Sequence, residues 1–181
     1  MTNIWKDLQE IYIYLDGYNK EWLFMKNRKI YYDIYSEFYN VNKYRQLKSI
    51  QHHGNNRLDN INRVSKLSFR LSKLLGLDYV SCTRGALLHD FFTTEDINRK
   101  KYKKFLHDHP RIALDNSKHY FKLNDIEEDI ILTHMYPMVK GKPKYAESKI
   151  VCLSDKLVSI YDFFRYQMKF SINFLIFLIL R

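Results

Sequence analysis

The chain contains little glycine and little proline, with 5 Gly and 3 Pro in 181 residues. An all-β fold needs turn residues at short intervals, and so few of them cannot supply those turns. The sequence also lacks a GxxxxGK loop, a GxSxG elbow and a Rossmann glycine pattern, which argues against nucleoside triphosphatases, serine hydrolases and dehydrogenases. The composition therefore predicts an all-α fold.

Cysteine is equally scarce, since Cys82 and Cys152 are the two in the chain and do not have CxxC spacing. Both lie in apolar stretches with helical patterning, so we expect buried, reduced thiols and no disulfide framework. The first ten residues lack the basic segment and apolar stretch of a secretory signal. These features predict a cytoplasmic protein.

No apolar run is long enough to span a membrane. Phe170 to Leu180 holds nine apolar residues in eleven, whereas a spanning helix needs about 20. We expect a segment that packs on the core or on a partner, and a peripheral membrane anchor is the alternative.

The residues that are abundant predict a folded, basic protein. Hydrophobic residues make up 46% of the chain and aromatic residues 16%, enough to offset the entropy of ordering one domain of this length. The formal net charge of +10 would attract polyanions. No nucleic-acid-binding motif accompanies this charge, and an AT-rich genome would produce the same lysine-rich usage.

Amphipathic helices are indicated along most of the chain. Residues 5 to 47 carry aromatic residues at helical spacing, which favours core packing, with a surface for single-stranded nucleic acid as the alternative. Asn56 is placed to cap a helix that ends before Gly76. A second helix is expected from Val80 to Asp90.

The second half of the chain shows four further features. Thr93 to Lys104 is expected to be an exposed basic connection. It is either a solvated segment without a binding role or a segment that attracts phosphate groups. His109 is predicted as an N-cap, with Pro110 at the first helical position. Asn124 and Glu127 resemble a capping box for a helix that carries His134 and is ended by Pro137. A long helix should begin at Tyr145 and carry Asp155.

Several inward-facing ionisable residues on separate helices predict a metal site. Burial of such groups is costly unless they pair with one another or coordinate an ion. A divalent metal satisfies all of them at once. The residues are His89, Asp90, His109, His134 and Asp155.

This pattern resembles the HD superfamily of metal-dependent phosphohydrolases. His89 and Asp90, within Gly85-Ala-Leu-Leu-His-Asp, match the pair that names the family, and Asp155 matches its late aspartate. His109 and His134 match the two further histidines of members that hold two metals. The resemblance implies an all-helical bundle over residues 49–162. The sequence pattern predicts a helical extension over 1–48 that packs on this bundle and a hydrophobic segment over 163–181.

One position departs from the family pattern. The family's first histidine ligand is replaced by Asn60, whose amide oxygen is a poor ligand for a transition metal but a tolerable one for magnesium or calcium. The resemblance therefore implies a weak first metal, on Asn60 with His89, Asp90 and Asp155. A second metal, on Asp90, His109 and His134, would be retained. His53 is a candidate replacement ligand or an auxiliary contact.

The resemblance implies hydrolysis of a phosphomonoester or phosphodiester, for instance a nucleotide, with one or two divalent ions such as Mn, Mg or Fe. His89 and Asp90 are the expected catalytic residues, and Gly85 is expected to permit close helix approach. A non-catalytic module that binds a nucleotide or a protein is the alternative, and a di-iron oxygenase is a third hypothesis. The candidate phosphate-binding cations, each of which could instead form surface salt bridges, are Arg57, Arg63, Arg84 and Lys156.

Overall fold

The computed structural model describes residues 25–52, 55–96 and 102–179, and describes side chains over 28–50, 56–96 and 107–165. The fold is all-α, as predicted. Two-residue strands at Gln51–His52 and Asn55–Asn56 form a minimal antiparallel hairpin ahead of α3. The helices are α1 (Met25–Tyr39), α2 (Asn42–Gln46), α3 (Arg57–Leu74), α4 (Tyr79–Leu88), α5 (Tyr102–Tyr120), α6 (Asp125–Thr133) and α7 (Ala146–Ile179).

Both ends of α3 form where the sequence predicts them. The side chain of Asn56 accepts a hydrogen bond of 2.9 Å from the backbone N–H of Asp59, which satisfies one of the free donors at the helix start. Gly76 has a φ of 67°, the left-handed conformation that commonly ends a helix and that glycine adopts without strain. Helix boundaries with these chemical signals were therefore predictable.

Helices α4 and α6 also begin at side-chain caps. Asp78 accepts hydrogen bonds from the backbone N–H groups of Val80 and Ser81, so α4 begins at Tyr79 and ends at Leu88. The capping box of α6 is complete, because Asn124 accepts from the backbone of Glu127 and the Glu127 carboxylate accepts from the backbone of Asn124. The helix ends at Thr133, ahead of Pro137.

The predicted start of α5 was wrong. The helix begins at Tyr102, and Pro110 lies inside it, so His109 is a helical residue and not an N-cap. Proline removes one backbone hydrogen bond from a helix, but its fixed φ suits the helical conformation. The segment before it is also not uniformly exposed, because Thr93 is buried and donates to Asp96.

The helices enclose two clusters of buried apolar side chains. One lies between α3, α4, α6 and α7, and its members are Val64, Leu67, Cys82, Ala86, Ile130, Val151 and Val158. The other joins α1, α2 and the 3-10 turn at Leu47–Ser49 to α3, α4, α5 and α6. It includes Phe38, Tyr44, Leu47, Leu58, Ile61, Leu87, Leu88, Phe91, Phe92, Ala113, Leu114 and Ile131.

The solvent-facing side of α7 carries large apolar side chains, next to the exposed Lys149 and Arg165. Leu153, Ile160, Phe163 and Phe164 are exposed there. The side chains of α7 beyond residue 165 lie outside the described residues, and so does the predicted extension before residue 25. Within the described part of the chain, no helix is both long enough and apolar enough to cross a membrane.

Helices α4 and α6 approach each other closely at Gly85. A β-carbon added to Gly85 would lie 2.7 to 2.9 Å from three side-chain atoms of Ile130, closer than carbon atoms can pack. The expectation that this glycine permits close helix approach is confirmed.

We predict that Gly85→Ala destabilises the fold by about 1 to 3 kcal/mol, because the added methyl group overpacks the interface between α4 and α6. Urea unfolding measured by circular dichroism tests this. The same change in an Ile130→Ala background should cost clearly less, since most of the clashing atoms are gone. Equal costs in the two backgrounds would show that the contact does not limit packing.

Candidate metal centre

Two histidines occupy equivalent positions at the ends of α4 and α6. His89 and His134 are the C-cap residues of these helices. The ring Nδ1 of His89 lies 2.7 Å from the carbonyl oxygen of Ala86, and that of His134 lies 2.8 Å from the carbonyl oxygen of Ile131. A carbonyl only accepts, so each Nδ1 carries the proton and each Nε2 presents a lone pair.

Asp90, His109 and His134 form a compact, buried triangle. The Nε2 atoms of His109 and His134 are 3.1 Å apart, and each lies 3.6 Å from Oδ1 of Asp90. Two imidazole nitrogens bound to one ion at ~2.1 Å are separated by about 3.0 to 3.4 Å, depending on the coordination angle. The three ligand atoms therefore have a spacing that could hold a divalent ion.

The protonation states in this triangle suit metal binding. Burial opposes ionisation of Asp90, but the three imidazoles and the guanidinium of Arg57 outweigh it and hold the pKa of Asp90 well below its usual range. Burial, together with the neighbouring His89, lowers the pKa of His134 to about 3. At neutral pH the carboxylate is charged and His134 is neutral, as metal ligands must be.

His89 and Asp155 extend the triangle on one side. The ring of His89 lies 5.0 Å from that of His134, and its Nε2 is 3.7 Å from Oδ1 of Asp155. This Nε2 is buried and has no hydrogen-bond partner among the described residues. A buried, lone-pair-bearing nitrogen beside a carboxylate fits a cation between them, so the residues present are compatible with a metal on this side too.

Asn60 lies inside the fold, on the first turns of α3. Its side chain is 1% exposed, and neither its amide oxygen nor its amide nitrogen has a hydrogen-bond partner in the described part of the chain. An unsatisfied buried polar group costs about 1 to 3 kcal/mol. The prediction that Asn60 faces inward is confirmed, and its role as a weak ligand stays a prediction.

Arg57 is the predicted cation that lies against the site. It is buried, donates a hydrogen bond of 2.7 Å to the carbonyl of Phe92, and stacks with its guanidinium carbon 3.7 Å from the centre of the Phe92 ring. That ring in turn packs 5.7 Å from the ring of His109. Phe92 was not singled out from the sequence, where a phenylalanine two residues beyond the His-Asp pair reads as ordinary core.

The other predicted cations contact protein groups away from the triangle. Arg63 forms a bidentate pair with the carboxylate of Asp162, which links α3 to α7. Arg84 bonds to Glu127 and Glu37, and Lys156 donates to Cys152. Their phosphate-binding roles stay predictions that these contacts do not favour. His53 lies outside the described residues.

A family model for the HD domain matches residues 57–160. The chain belongs to the HD-domain family. The matched segment runs from Arg57 to beyond Asp155 and contains the whole triangle. Neither a search of curated proteins nor a search of solved structures finds a match to the chain.

The lowered pKa of His134 predicts acid sensitivity of the metal-free protein. Between pH 6.5 and about 3 the unfolded state binds a proton on this histidine that the folded state does not bind. The free energy of unfolding should therefore fall with falling pH in this window, by at most about 1.4 kcal/mol per pH unit for one proton.

The measurement is urea unfolding in the presence of a chelator at pH 6.5, 5.5 and 4.5. The free energy of unfolding of His134→Asn should fall less steeply with falling pH than that of the natural protein. His119→Asn removes an exposed histidine of α5 and should leave the slope unchanged. Identical slopes for the natural protein and His134→Asn would contradict the prediction.

Proposed function

We propose that this HD-domain protein is a metal-dependent phosphohydrolase that cleaves a phosphomonoester or a phosphodiester. The observation that carries the proposal is the buried triangle of Asp90, His109 and His134 within a chain of the HD-domain family. Nucleotides are the substrate class to test first, because a basic protein attracts polyanionic metabolites.

The donors divide into a strong set and a weak set. Asp90, His109 and His134 would hold one divalent ion such as Mn, Fe or Mg. His89 and Asp155, with the amide of Asn60, would hold a second ion less tightly, because an amide oxygen is a weaker donor than an imidazole. A bound ion would lower the pKa of a water molecule and polarise a phosphoryl oxygen.

The chain's own residues prepare the site for this chemistry. Asp90 stays ionised in the interior because imidazoles and a guanidinium surround it, so its carboxylate needs no deprotonation before it acts as a ligand. The stack of Arg57 on Phe92 keeps a cation near that carboxylate. Burial excludes bulk water and strengthens each of these electrostatic interactions.

A non-catalytic HD module is the second candidate, and Asn60 is the observation that favours it. If hydrolysis requires two ions, replacement of an imidazole by an amide weakens the second ion's site and leaves a module that binds a nucleotide or a protein partner. The two candidates share the triangle and differ in turnover.

Metal binding should depend on the triangle. We expect the purified protein to retain about one divalent ion per chain after buffer exchange, because three donors of the strong set hold it. His109→Ala and His134→Ala should each weaken manganese binding by more than about 10-fold in calorimetry. His119→Ala, on the same helix as His109 but exposed, should bind as the natural protein does. Unchanged affinity in both triangle variants would refute the site.

Turnover distinguishes the two candidates. With added manganese, nitrophenyl phosphate, its diester analogue and a nucleotide panel should include a substrate for the natural protein. Asp90→Asn should lower the rate by more than about 100-fold, because it removes a charged ligand. Asn60→His should raise the bound metal toward two ions per chain. Activity that appears only in Asn60→His would instead support the non-catalytic module.

A further inference from the structure

Cys152 and Lys156 form a close sulfur–nitrogen pair on α7. The ammonium nitrogen of Lys156 lies 2.7 Å from Sγ of Cys152, and it also donates to the backbone carbonyl of Cys152 at 3.3 Å. The two residues are four positions apart, so their side chains share one face of the helix. The thiol itself is oriented toward the carbonyl of Tyr136, 3.1 Å away. The pair is thus held together by contacts on both sides of the sulfur.

We propose that this pair is an oxidative modification site, at which a single oxygen atom bridges Sγ of Cys152 and Nζ of Lys156 when the protein meets hydrogen peroxide. One bridging oxygen fits between two atoms at this separation, whereas a direct sulfur–nitrogen bond would require a much closer approach. Reactive cysteines characteristically lie beside cationic side chains, and Lys156 provides such a neighbour. The inference does not depend on the proposed hydrolase activity.

The chemistry balances with two molecules of peroxide. In the first step sulfur attacks one peroxide oxygen, the O–O bond breaks, and the thiol becomes a sulfenic acid with release of water. Before the second step the Lys156 ammonium gives one proton to water and becomes the neutral amine. The sulfenic O–H and one N–H of this amine are then lost as the O–N bond forms, and the second peroxide accepts two electrons and two hydrogens to leave as two waters. In sum, a thiol, an amine and two peroxides give S–O–NH and three waters.

The other cysteine provides an internal comparison. Cys82 is fully buried, and its Sγ faces the backbone carbonyls of Ser68 and Glu147. Burial raises the pKa of this thiol to about 12, which keeps it in the unreactive thiol form. Cys152 is also buried, but it keeps an exposed fraction of 7% where Cys82 has 0%, and it lies beside Lys156. We therefore expect peroxide to modify Cys152 and leave Cys82 intact.

Tryptic peptide mass spectrometry of the full chain tests the proposal. After exposure to peroxide and alkylation of the remaining thiols, the bridge should block cleavage after Lys156. It should yield a peptide of residues 150–165 with one added oxygen and two fewer hydrogens. Dithiothreitol should restore cleavage and return the peptide of residues 150–156 with an alkylatable cysteine. The peptide of residues 74–84, with Cys82, should be unchanged.

Two variants check that the linkage joins these two residues. Lys156→Arg keeps the cation but removes the amine, and it should not form the bridge, whereas Cys82→Ser should form it as fully as the natural protein does. Oxygen added to Cys152 without loss of hydrogen, with cleavage after Lys156 intact, would overturn the proposal. So would a linkage to Lys149, the exposed lysine three residues earlier, which would block cleavage after residue 149.

Discussion

The close approach of α4 and α6 at Gly85 and Ile130 is the constraint on which the site depends. Gly85 precedes His89 by four residues, and Ile130 precedes His134 by four, so each contact residue lies one turn below a histidine on the same helix face. The missing β-carbon at Gly85 therefore helps to set the distance between the two imidazoles, whose ring centres are 5.0 Å apart. The packing of the apolar core and the geometry of the metal site therefore depend on the same helix contact.

The carbonyl groups at the ends of α4 and α6 orient the two histidines as metal ligands. The last carbonyls of a helix lack helical partners, and here the carbonyls of Ala86 and Ile131 accept from the Nδ1 atoms of His89 and His134. One hydrogen bond thus satisfies a backbone acceptor, orients a ring and fixes its tautomer. Metal-binding histidines commonly use a carbonyl in this way. Because α4 ends at this point, the chain can also direct Asp90 toward His109 and His134.

Local features could be predicted from residue type and spacing, whereas the grouping of Asp90, His109 and His134 could be expected only through the family resemblance. Asn56, Gly76 and the pair of Asn124 and Glu127 act within a few residues of themselves, so their capping roles follow from residue type and spacing. The start of α5 was predicted wrongly from Pro110 because proline is common at the first position of a helix, whereas the turns that precede it here are also helical. The stack of Arg57 on Phe92 joins residues 35 positions apart and has no local signature.

As a ligand of the proposed second ion, Asn60 would make the two halves of the site unequal. The half with His109 and His134 has two imidazole nitrogens 3.1 Å apart and a carboxylate held in its charged form. The proposed second half combines His89 and Asp155 with the amide of Asn60, which has no hydrogen-bond partner among the described residues. Since Asp90 faces the stronger half, an ion there would compete for the carboxylate that a second ion would also need. A soft or borderline ion should therefore fill the imidazole-rich half first, and only a hard, oxygen-preferring ion would suit the amide.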